Sequence, residues 1–119
     1  MLSSLEKVMN ALLTVTDEVY HYKAPEDSAR YIVWAEEMEV AALNADNYKP
    51  GQTIEGSIDL YTKNEDDPWI QNIPDALNAA RIGWELNSVQ YEDETRFIHY
   101  EWLFRVRQEY GESEVYGAG

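Results

Sequence analysis

Apolar positions along the chain follow two periods. Leu2, Leu5, Val8, Met9, Leu12 and Leu13 recur at helical spacing, giving one apolar stripe over about three turns. Ser3 with Glu6 three residues later matches a capping box and predicts the helix start. Residues 15–18 break the pattern. Residues 19–22 predict a short strand, closed by Ala24-Pro25 because proline has no N–H to offer a ladder. Residues 30–37, RYIVWAEE, are rich in β-branched and aromatic side chains and predict a strand with some burial on both faces. Residues 38–45 fit either a continuation of that strand or a short helical turn, since Ala and Leu favour helix. Residues 46–51 have the composition of a loop.

The second half begins with strict alternation over residues 53–62. Ile54, Gly56, Ile58, Leu60 and Thr62 share one face, and Glu55, Ser57, Asp59 and Tyr61 the other. Asp67-Pro68 then reads as N-cap and first helical residue, with Trp69, Ile70, Ile73, Leu77 and Ala80 as the buried stripe. Pro74 removes one helical hydrogen bond and predicts either a kink or a helix that starts near Ile73. Residues 84–91 predict a strand, 92–95 a polar turn, and 96–107 a long strand. In that last strand Ile98, Tyr100, Trp102, Phe104 and Val106 face the core, while Phe97, His99, Glu101, Leu103 and Arg105 face away.

The element order α-β-β-β-α-β-β predicts an α+β fold, a mainly antiparallel sheet of about five strands with two helices on one face. Short connections predict pairing mostly as hairpins. The expected core joins Ile54, Ile58, Leu60, Ile98, Tyr100, Trp102 and Phe104 to Leu5, Leu12, Ile70 and Leu77. Residues 1–110 are expected to form one domain and residues 111–119 a flexible tail without periodicity.

Composition narrows the function. The 119 residues are 45% hydrophobic and 13% aromatic, which predicts a folded chain. No apolar run reaches the ~18 residues of a membrane helix, and the N-terminus lacks the basic and apolar regions of a signal peptide. With no cysteine, disulfides and thiolate metal sites are excluded, which fits a cytosolic setting. Twenty-three acidic against nine basic residues give a formal charge of −14. That charge argues against binding nucleic acid through a basic footprint and predicts repulsion from DNA and anionic membranes.

Candidate chemistry is sparse. Asn64, Glu65, Asp66 and Asp67 join a strand to a helix, where acidic groups are explained by capping and the helix dipole. A calcium loop would need a glycine for its sharp turn, and none follows Gly56 in this stretch. His21 and His99 are the only histidines and have no zinc-ligand spacing around them. No GxSxG, GxGxxG or Walker pattern occurs. The expectation is a protein without catalytic, cofactor-binding or metal-binding residues. Tyr61, Phe97, His99 and Leu103, with Tyr20 and Tyr22 beside them, would instead place apolar groups on the sheet face away from the helices. They are the candidate interface for a partner or a second copy.

The strings HYKAPEDSARYIVWAEE, ALNADN, GSIDLYTKNEDDPWIQNIPDAL and VQYEDETRFIHYEWLFRV resemble phage and prophage tail completion (tail terminator, head–tail joining) proteins over roughly residues 2–107. The resemblance implies a tail-terminator-like α+β subunit that assembles with itself into a ring, commonly of six copies. It would cap the tail tube at the head-proximal end, contact tail tube and head–tail connector proteins, and let DNA pass its lumen without specific binding. It implies a virion tail location, with assembly in the bacterial host cytoplasm and no membrane. An adjoining head–tail connector role stays open. An acidic DNA-mimic inhibitor is the other reading of the charge. It needs carboxylates arrayed along one surface, whereas here they are spread over loops, caps and strand faces.

Overall fold

The computed structural model describes residues 1–40 and 49–111. The elements are α1 (Ser3–Leu13), β1 (Val19–His21), β2 (Tyr31–Val40), β3 (Gly51–Thr62), α2 (Trp69–Ala79), β4 (Gly83–Tyr91) and β5 (Ile98–Glu109). The predicted order and α+β class hold. The strands form a single five-stranded sheet in the order β1-β2-β3-β5-β4. Residues 41–45 and 46–48, and the tail beyond Gly111, fall outside the described residues. Residues 38–40, however, continue the strand.

Two pairings depart from simple hairpins. β1 runs parallel to β2, with Val19 opposite Ile32 and His21 opposite Trp34. The sheet is therefore mixed at that edge. β3 and β5 pair along their full twelve residues although α2 and β4 lie between them in sequence. β5 thus becomes an interior strand and β4 is displaced to the edge.

Cross-strand rows show how the core is built. Trp34, Ile58, Trp102 and Leu86 lie opposite one another across β2, β3, β5 and β4, and Ile32, Leu60, Tyr100 and Val89 form the next row. Leu5, Val8, Leu12, Ile73 and Leu77 of the helices close over Ile32, Trp34, Ile58, Leu60, Trp102 and Phe104, all nearly or wholly buried. Gly56 is required in this layer. A Cβ there would lie 2.1 Å from the Ala35 carbonyl oxygen and 2.6 Å from the Phe104 ring. The absence of a side chain lets that ring lie across the strand.

The helix ends differ from expectation in instructive ways. Ser3 does not cap α1. The Leu2 carbonyl accepts the first turn's N–H groups, and the Gln108 side chain takes the cap's place. Gln108 Oε1 accepts from the Ser4 N–H at 2.9 Å and from Ser3 Oγ at 3.3 Å, so β5 supplies the missing acceptor. Pro74 lies inside α2, which neither begins at Ile73 nor breaks there. Without an N–H on Pro74, the Ile70 carbonyl loses one helical partner, and the burial of Ile73 and Leu77 outweighs it.

Candidate assembly surfaces

The acidic joint is structural. Asp67 is 3% exposed and accepts from the Trp69 N–H at 2.9 Å, so it caps from one residue before the expected place: α2 begins at Trp69, and Pro68, expected as its first residue, stands at the N-cap. It also accepts from Thr62 Oγ1 at 2.7 Å and from Arg30 Nε at 2.7 Å, and Arg30 Nη2 bonds its other oxygen. The Arg30 guanidinium carbon lies over the Trp69 ring, 3.4 Å from its centroid. The carboxylate therefore ties the entry to β2, the end of β3 and the start of α2 together. Burial alone would raise its pKa, but the bonds from Arg30, Thr62 and Trp69 outweigh that and hold it below the ordinary aspartate value. Glu65 and Asp66 are exposed beside it. Among the described residues no group of three or more His, Asp or Glu is placed to hold a metal ion.

The outward face of the sheet brings together three of the four candidate interface residues. Tyr61 and His99 are cross-strand partners with rings stacked at 4.3 Å. Tyr31 stacks on the other side of Tyr61 at 4.9 Å. Phe97, just before β5, meets Tyr61 edge-on at 5.9 Å, with Lys63 Nζ 5.0 Å from its ring. His99 Nε2 bonds Asp59 Oδ1 at 2.6 Å. Burial pushes the Asp59 carboxyl up against the opposing pull of His99, and burial with nearby carboxylates pushes the Tyr61 phenol up to about 12. His21, the other histidine, bonds Glu36 at 2.7 Å and stacks on Trp34 at 4.0 Å.

Leu103 stands apart from this cluster. It lies between Ser57 and Glu85 in its row and lines a hollow of about 270 Å³ with Gly83, Trp84, Glu85 and Arg105. The outward face thus holds a half-buried aromatic group in the middle and an apolar position beside β4.

A second surface lies on the opposite side of β4. Trp84, Leu86, Val89 and Tyr91 pair with Phe104, Trp102, Tyr100 and Ile98, so all four point to the helix side. The helices do not reach over them, and they are 37%, 51%, 48% and 61% exposed. Only Trp84 is tied down, its Nε1–H donating to Asn78 Oδ1 at 2.8 Å. The sequence predicts this strand but carries no signal of its own for the strip. From sequence it is indistinguishable from a core face, because edge position is a property of the sheet order.

No sequence family matches the chain, and no curated protein does. Among solved structures, a chain described as part of the "virion of native gene transfer agent (GTA) particle" is similar in fold, with a TM-score of 0.54 at 15% identity. The match covers 90% of this chain and 92% of that one, so the likeness spans the domain from end to end.

Proposed function

We propose that the protein is a structural component of a phage-like virion, a ring-forming subunit at the head-proximal end of the tail that completes the tail and joins it to the head. The observation that carries this is the end-to-end fold likeness to a chain of a gene transfer agent virion. The resemblance of its sequence strings to tail completion proteins points the same way. A sheet with apolar groups left over on both sides suits a subunit whose surface is finished by neighbours. In this function the work is assembly, and no turnover is required. Partners would be further copies of itself, tail tube subunits and head–tail connector proteins. DNA would pass an acidic lumen that repels it.

The outward face, with Tyr61, Phe97, His99 and Leu103, would contribute to the contact between copies. Leu103→Glu should weaken association about tenfold or more while leaving the fold intact, since Leu103 is only partly buried in the single chain. Sedimentation of wild type and variant over a concentration series, with electron microscopy of the largest species, tests both ring and face. Identical association of the two proteins would remove Leu103 from the interface. Absence of rings under every condition would remove the ring.

A further inference from the structure

A cyclic ring is held by a heterologous contact, in which two different surfaces of the same chain meet around the circle. β4 offers one of them. Its nine residues form the edge of the sheet, with a strand partner on one side only among the described residues, and its helix-side row is Trp84, Leu86, Val89 and Tyr91. The half-buried Ile98 and Tyr100 of β5 continue the apolar surface inward. No proline interrupts the strand, and one bulge separates Leu86 from Ser88. Such an edge is a ready template for association unless something covers it.

A complementary surface lies on the helical layer. Between α1 and α2 runs a shallow groove of about 570 Å³, floored by Ala11, Ala76, Ala79 and Ala80 and flanked by Glu6, Lys7, Asn10 and Thr14. Small side chains leave the width that large ones need. Resting on the ring function proposed above, we propose that the Trp84–Leu86–Val89–Tyr91 strip of one copy seats in the α1–α2 groove of the next.

Charge selects this pairing. The chain carries −14, yet residues 81–91 hold one Arg and one Glu, α1 holds one Lys and one Glu, and α2 holds one Asp. These are two surfaces on which copies can meet while bringing few carboxylates together. The outward face, by contrast, carries Glu37, Asp59 and Glu101 around its aromatic cluster, and an apolar strip laid there would have to desolvate them. Size fits a contact that closes only in number. Four half-exposed side chains offer about 300–400 Å² of apolar surface, roughly half of the ~800 Å² per partner in a standard interface. A single pair would form only in concentrated solution, and closure of a ring adds a contact without a further loss of freedom. Leu103 borders the same strand from the other face, so a neighbour wrapping the β4 edge reaches both.

The test uses one substitution on each surface. Leu86→Glu spoils the strip and Ala79→Glu the groove. Both positions are exposed, and circular dichroism should find both folds unchanged. In concentrated solution at high salt the wild type should sediment as a species larger than two copies, and each variant alone as a monomer. An equal mixture should stop at two copies, because only the Ala79→Glu strip and the Leu86→Glu groove remain to meet. Leu86→Lys, which lowers the acidic charge, should behave as Leu86→Glu does. Assembly of either variant like wild type overturns the proposal, as does a mixture that stays monomeric or grows beyond two. If Leu103→Glu abolishes association while the strip and groove variants assemble normally, the ring stands and this contact falls. A wild type that is monomeric at every concentration and salt removes both.

Discussion

Asp67 carries more of the fold than its place in an acidic run predicts. Its capping role was legible, since a carboxylate just before Pro-Trp-Ile is a standard way to satisfy free N–H groups at a helix start. Its second role depends on Arg30, 37 residues away, and on Thr62, whose hydroxyl reaches it only because β3 ends there. A lost cap costs about 0.5–2 kcal/mol. Removing a buried member of an ion pair costs more, although Arg30 keeps a side-chain exposure of 39% and stays partly hydrated. Asp67→Ala should therefore destabilise by about 2–4 kcal/mol in a denaturant melt. The pH dependence follows from the lowered folded-state pKa. The unfolded chain takes up the proton first as pH falls, so the stabilisation is present above the ordinary value near 3.8 and is lost as pH drops through the folded value. Asp67→Asn should flatten the acid limb of the stability curve at and below the ordinary aspartate value near 3.8, measured by urea melts over the acid range. An acid limb as steep as the wild type's would show that the carboxylate is not responsible.

At the scale of elements, both helices end in ways their own sequence does not announce. α1 borrows its cap from Gln108, and a pattern of local residues could only propose Ser3. α2 stops in a Schellman arrangement, with the Ile82 N–H donating to the Leu77 carbonyl at 2.9 Å and the Arg81 N–H to that of Asn78 at 3.0 Å. The residue at the left-handed position is Arg81, with φ of 59°, where glycine is the usual occupant. Relief of that strain is partly offset by the greater freedom of glycine in the unfolded chain. Arg81→Gly should thus stabilise the protein by about 0.5–1 kcal/mol, seen as a higher melting temperature. A lower melting temperature would mean that the exposed Arg81 side chain does more than fill a turn.

For the whole molecule the dominant opposition in the proposed assembly is between apolar association and charge. Copies carrying −14 repel, and that repulsion acts over a screening length of about 8–10 Å at ordinary ionic strength. Apolar burial between copies, at about 25 cal/mol per Å², is much less sensitive to salt. Association should therefore strengthen as salt rises, with the wild type mostly monomeric when dilute at low salt. Sedimentation equilibrium at several salt concentrations measures this directly. Association that weakens with added salt would point instead to ion pairs across the contact.

The sequence by itself determined the order of elements, the α+β class and the inward face of β3 and β5, because period and side-chain type are local and chain-wide burial needs them. Ile54, Ile58, Leu60, Trp102 and Phe104 all lie where alternation put them. It also placed Tyr61, Phe97 and His99 on one face, since two strands paired in register bring their outward rows together. Tertiary structure alone decided which strand is last. β3 and β5 find each other across the intervening helix and strand, and that long pairing pushes β4 to the edge. The same choice left Trp84, Leu86, Val89 and Tyr91 at the surface, because two eleven-residue helices are not wide enough to cover every strand. Alternation states that a strand has an apolar side. What meets that side is settled only when all the elements compete for the same cover.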